Sequence, residues 1–156
     1  MKLTINGREV SCPGGVTYLS LLKKLGLEKG ALGVSHRGAT LSLNAQAEGG
    51  AEVRVLTLQD EEGRRIYERT LQFLLLAAAR RALGPETRVR IEHSLGDGLY
   101  AYVPNQTLTS SQVRSIREAM QSLVAQDAPI ARFASTKAEA AEYFRSLGQN
   151  DKVRLL

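Results

Sequence analysis

The sequence predicts an α+β fold in two parts: a small module of short strands around one helix, then an antiparallel-sheet module with a long central helix. Three observations carry this. Residues 2–11 alternate polar and apolar side chains on either side of Asn6-Gly7, the strongest short hairpin signal. Residues 60–83, DEEGRRIYERTLQFLLLAAARRAL, have the length and periodicity of a single long helix. Residues 88–92 and 99–103 read as two further strands, with Gly96-Asp97-Gly98 turning the chain between them.

Taken in order, Lys2-Leu3-Thr4-Ile5 runs out and Arg8-Glu9-Val10 returns, and Pro13-Gly14-Gly15 is a loop. Thr17 is placed to cap a short helix through Tyr18, Leu21, Leu22 and Leu25, which Gly26 stops. Apolar runs follow at residues 31–34 and 41–43, then a strand at 52–58. Strand, strand, helix and further strands in under 60 residues is a β-grasp pattern. The long helix opens on Asp60, Glu61 and Glu62, where the N-terminal end of a helix favours negative charge, and closes on Arg80 and Arg81 before Gly84-Pro85. Ile66, Thr70, Phe73, Leu74, Ala77 and Ala78 share one face, and Leu71, Leu75 and Leu76 widen it. The pattern predicts a helix buried in its centre and spanning roughly 36 Å. Thr109 or Ser110 caps an amphipathic helix through Val113, Ile116, Met120 and Leu123. Residues 129–133 read as a strand, Thr136 caps a last helix through Ala140, Ala141, Phe144 and Leu147, and 151–156 begin another strand. That strand has no polar tail after it, which leads to the expectation that the native chain continues past Leu156.

Composition narrows the function classes. The chain has 156 residues, 43% apolar and 24% charged, as in ordinary globular proteins. No apolar run approaches the ~18 residues of a membrane span, and the N-terminus lacks the apolar core of a signal peptide. Cys12 is the single cysteine, which excludes an intrachain disulfide and a cysteine zinc cluster. Its place beside Pro13 suggests an exposed loop thiol with no activating base. A cytoplasmic protein without a membrane partner is expected. The net charge is +5, divided +3 and +2 between residues 1–58 and 59–156, so the chain has no single basic stripe.

Residues 1–58 resemble a TGS domain, the ubiquitin-like module of threonyl-tRNA synthetases, certain GTPases, stringent-response enzymes and some nucleoside kinases. The stretches that carry the resemblance are MKLTINGREV, GVTYLSLLKKLG and AEVRVLTLQDEEGRRIY. Residues 59–156 resemble the second N-terminal domain of threonyl-tRNA synthetases, which hydrolyses mischarged Ser-tRNA, ending short at the C-terminal side. The shared order is a long helix, GLYAYV, LTSSQVRSIREAM, a short helix and DKVRLL. IYERTLQFLL, IEHSLGDGLYAYV, DAPIARF and DKVRLL lie closer to uridine-kinase-like nucleoside kinases that carry both modules ahead of a P-loop kinase domain.

In the editing synthetases the long helix carries a His-x-x-x-His pair, which puts two imidazoles on one face. The matching positions here are Arg69 and Phe73, neither of which can act as a base near neutral pH. The resemblance therefore implies that the editing chemistry is lost. No Lys-Ser/Thr follows the glycines at 26–30 or 96–98, so no phosphate loop is present. His36, in SHRGAT, reads as a solvated turn residue. His93 reads either as a strand-end histidine bonded to a carboxylate or as a contact for a small ligand or phosphate. Glu92, His93 and Asp97 within one turn are a weak metal pattern without a distant partner, and no metal is assigned. Arg64, Arg65, Arg69, Arg80, Arg81, Arg88 and Arg90, with Tyr67, Tyr100 and Tyr102, form a mix able to hold an RNA end. The simpler reading pairs Arg64 and Arg65 with Glu61, Glu62 and Glu68.

The candidate ligand-binding residues are thus Arg69, Phe73, His93, Asp97 and Tyr100, with none catalytic. The leading expectation is a non-catalytic accessory or regulatory module of a uridine-kinase-like protein that binds a ligand, nucleotide or RNA. Its partner would be a downstream kinase domain, the only place where ATP and Mg are expected. The alternatives are a tRNA-binding, editing-type module of a threonyl-tRNA synthetase and a free-standing interaction module.

Overall fold

The computed structural model describes residues 1–95, 98–128, 130–131 and 133–156, with the side chains of Ser94, Leu95 and Asp151 outside the description. The fold is α+β, and the chain divides into two units, Met1–Leu123 and Val124–Leu156.

The first unit opens with the expected hairpin, β1 (Lys2–Ile5) and β2 (Arg8–Ser11), paired from Lys2↔Ser11 to Ile5↔Arg8. Its turn residues Asn6 and Gly7 have φ of 49° and 80°, the left-handed pair that matches the twist of the strands. Asn6 also accepts the Val55 N–H at 2.8 Å, so the turn is tied to a distant strand. Helix α1 (Tyr18–Leu25) starts where Thr17 Oγ1 accepts the Ser20 N–H, and ends at Gly26 in the left-handed region. Strands β3 (Gly33–His36), β4 (Ala39–Leu41) and β5 (Glu52–Leu56) complete a sheet of order β2-β1-β5-β3-β4, in which only β1 and β5 are parallel. This is the β-grasp arrangement. Tyr18, Leu21 and Leu22 of α1 share one core with Leu3, Ile5, Val34, Val53 and Val55.

Two expectations are corrected here. His36 ends β3, ahead of the turn at Arg37-Gly38, and its Nδ1 lies 2.8 Å from the Glu52 carbonyl. Cys12 is buried in the apolar core and is no exposed loop thiol; its N–H donates to the Met1 carbonyl at 2.9 Å. The apolar runs at 31–34 and 41–43 give strands offset by two residues, β3 and β4, because β3 takes its register from β5 and β4 takes its register from β3.

Strand β5 passes into helix α2 (Glu61–Leu83) through a tight joint. Asp60 occupies the N-cap position but makes no side-chain cap bond. Its carboxylate instead accepts the Thr57 N–H at 2.8 Å and the Thr57 hydroxyl at 3.1 Å, and pairs with the Arg54 guanidinium. Gly63 is needed in the first turn, because a Cβ there would meet the Thr57 carbonyl oxygen at 1.8 Å.

The centre of α2 is not buried. Phe73 is 56% exposed and Tyr67, Leu71 and Leu76 are also exposed; the buried residues are Gly63, Ala78 and Ala79. The partners of the helix sit at its ends. Ile66 lies at 3.0 Å from a Cβ built on Gly33 of β3, and Ala78 and Ala79 pack with Ile116 of α3 (Ser110–Ala125). Thr109 and Gln112 cap α3 reciprocally, the Thr109 N–H reaching Gln112 Oε1 at 3.0 Å and the Gln112 N–H reaching Thr109 Oγ1 at 3.3 Å. Between the two helices in the chain comes an antiparallel pair, β6 (Arg90–Leu95) and β7 (Gly98–Tyr102); β6 starts two residues and ends three residues later than expected, and β7 lies one residue earlier.

In the second unit, Thr136 and Glu139 form a capping box at the start of α4 (Lys137–Ser146). Of the strand expected at 129–133, Ile130, Ala131 and Phe133 have no regular structure, and Pro129 and Arg132 lie outside the described residues. The strand expected at 151–156 is corrected to a helical turn, α5 (Asn150–Val153), with the Lys152 N–H on the Gln149 carbonyl at 3.0 Å. Among the described residues of this unit there is no strand for either segment to pair with, so local bonds take the backbone groups.

Candidate nucleic-acid interface

The register of the β6–β7 pair runs Arg90↔Tyr102, Ile91↔Ala101 and then Ser94↔Leu99. Two residues of β6, Glu92 and His93, therefore oppose one residue of β7, Tyr100. This is a β-bulge, a device that re-aims side chains. Its result is a continuous face. The His93 ring stacks on Tyr100, centroids 5.4 Å apart and planes at 26°, and Tyr100 neighbours Tyr102 at 5.8 Å. The Tyr102 hydroxyl donates to Glu92 Oε1 at 2.9 Å. Arg90, directly across from Tyr102, belongs to the same face, since cross-strand partners project to one side. On this face Arg90, Glu92, His93 and Tyr100 are exposed and Tyr102 is half-buried; on the other side Ile91 and Ala101 are half-buried and Leu99 is exposed.

Two of the expected site residues, His93 and Tyr100, are thus brought together. Asp97 lies outside the described residues. Arg69 and Phe73 are both exposed on α2, one turn apart. No ring contact, hydrogen bond or ion pair links either of them to the His93–Tyr100 cluster among the described residues, and Arg69 enters none of the ion pairs there. Arg65 pairs with Glu61 at 2.5 Å, one turn back on α2, as the simpler reading of that charge cluster expected. Arg64 reaches the Gln59 carbonyl at 3.5 Å, in place of a carboxylate.

Glu92 and Tyr102 complete the cluster; Tyr102 was expected only within the wider aromatic and basic mix able to hold an RNA end, and Glu92 only within the weak metal pattern. The available signal was the adjacent polar pair Glu92-His93, which breaks the alternation of RVRIEHSL. The arrangement offers ring faces, a guanidinium and a carboxylate with acceptor capacity to spare. Among the described residues, no group of three His, Cys, Asp or Glu side chains could hold a metal ion, and no helix is long and apolar enough to cross a membrane.

No family model matches the chain. It is 30% identical over 147 residues to the threonine–tRNA ligase of Carboxydothermus hydrogenoformans, covering 92% of this chain and 23% of that protein. It is 30% identical over 143 residues to the Thermotoga maritima ligase, covering 90% and 22%, and 28% identical over 154 residues to that of Clostridium kluyveri, covering 97% and 24%. The chain thus spans under a quarter of the length of these relatives. The likeness supports a domain like the N-terminal part of threonyl-tRNA synthetases. None of the three is a kinase, so the kinase-linked context expected from the sequence has no support among them.

Proposed function

We propose that the chain is a threonyl-tRNA synthetase-like module that contacts tRNA and carries out no deacylation itself. The observation that supports the reading most is the likeness to threonine–tRNA ligases over nine-tenths or more of this chain. The absence of chemistry is argued from α2. Arg69 and Phe73 stand where the family resemblance implies two imidazoles, and neither can take a proton from water near neutral pH. Arg69 adds a permanent positive charge suited to a phosphate. The reading places the protein in the cytoplasm, where tRNA is charged.

The test is to incubate the purified chain with Ser-tRNA specific for threonine and follow both retention and hydrolysis. Retention without hydrolysis above the uncatalysed rate is expected. Arg69→Ala should weaken retention by about tenfold, the loss of one charged hydrogen bond. Hydrolysis that disappears in Arg69→Ala or Phe73→Ala would overturn the assignment.

A further inference from the structure

We infer that the bulged face of β6 and β7 is a stacking platform for an unpaired nucleobase within single-stranded RNA. It goes beyond the tRNA reading, since it requires neither a tRNA nor a free 3′ end. Three features on this one face point to such a ligand. Tyr100 is exposed and already stacked against His93, so a ring surface is held in place before any ligand arrives. Every base has a π-face, and such stacking tolerates any sequence. Arg90, across from Tyr102, puts a cation where the backbone of a stacked nucleotide could run.

The third feature adds selectivity. Glu92 uses one carboxylate oxygen for the Tyr102 hydroxyl and is otherwise solvent-exposed. An ionised carboxylate only accepts hydrogen bonds, so it favours the exocyclic amino group of cytosine, adenine or guanine over uracil, whose one edge donor, N3–H, lies between two carbonyl oxygens that repel a carboxylate. The bulge makes this possible: without it, Glu92 and His93 would project to opposite sides of the strand.

The experiment titrates the full chain with hexamers of cytidylate, adenylate and uridylate, each with a free or a phosphorylated 3′ end, and with a duplex of matched length. Binding is read by tyrosine fluorescence and by NMR. The expected result is quenching by the cytidylate and adenylate hexamers, weaker binding of uridylate, indifference to the 3′ phosphate, and upfield shifts of the base protons. Tyr100→Phe should keep the binding, and Tyr100→Leu should weaken it about ten- to a hundredfold. Glu92→Ala should reduce the preference for cytidylate over uridylate. The upfield base shifts are read on the unaltered chain and do not depend on a variant folding. Their absence at millimolar hexamer, equal binding of the duplex, or undiminished binding by Tyr100→Leu overturns the platform. If the unaltered chain retains tRNA but binds no hexamer, the platform falls and the tRNA reading stands. If the unaltered chain binds hexamers but no tRNA, the tRNA reading falls and the platform stands.

Discussion

At the scale of single residues, Asp60 and Tyr18 give opposed lessons about polar groups. The Asp60 carboxyl is held below its ordinary value of 3.8, first by the Thr57 backbone N–H, against burial as the next largest effect, with lesser help from the Thr57 hydroxyl and the Arg54 guanidinium. A carboxyl lowered on folding contributes stability above its unfolded value, and the contribution disappears as pH falls through the folded value. Urea midpoints of the parent should therefore be insensitive to this group between pH 5 and 8 and decline below about pH 4. Asp60→Ala should lower the neutral midpoint and flatten that acid decline. The Tyr18 ring is fully buried, and its hydroxyl has no hydrogen-bond partner among the described residues. Tyr18→Phe should therefore be neutral or stabilise by up to about 1 kcal/mol in urea unfolding, since a buried unpaired hydroxyl costs more than it returns. A loss of more than about 1 kcal/mol would reveal a partner for that hydroxyl.

At the scale of elements, the joint between β5 and α2 and the two ends of α2 define what holds the first unit. Gly63→Ala places a methyl against the Thr57 carbonyl, which is backbone and cannot swing aside. It should cost about 1–3 kcal/mol in denaturant unfolding. Ile116→Ala, in the small core shared by α2 and α3, should cost about 2–5 kcal/mol, whereas Phe73→Ala on the exposed middle of α2 should stay within about 0.5 kcal/mol. Equal costs would show that the middle of α2 is packed. The local chemistry of these elements was legible in the sequence. As turn and cap residues, Asn6-Gly7, Thr17, Gly26 and Thr136 act within a few residues and do what their residue types prescribe, although the bond from the Val55 N–H to Asn6 is long-range and was not legible. Non-local facts were not legible. Apolar periodicity marked the face of α2 but not whether anything covers it. Alternation at 151–156 suggested a strand, although a strand also needs a neighbour. The bulge at Glu92-His93 depends on register against β7, which neither strand states alone.

At the scale of the molecule, the β-grasp sheet, the α2 helix and the β6–β7 pair follow one another along a chain similar throughout to threonine–tRNA ligases. The sequence showed this architecture because each part carries its own turn and cap signals. It also suggested a kinase context from four short phrases, and such phrases record shared modules more than shared activity. The candidate site was half legible. His93 and Tyr100 were both anticipated, while Glu92 and Tyr102 join them only through cross-strand pairing. The central claim is that this chain contacts tRNA, and the most direct measurement is equilibrium binding of a threonine-specific tRNA transcript to the full chain across a salt series. The account predicts saturable binding whose logarithm falls linearly with the logarithm of salt concentration, by a slope of about −0.7 to −0.9 for each phosphate contacted. No saturable binding at low salt, or binding that salt leaves unchanged, would contradict it.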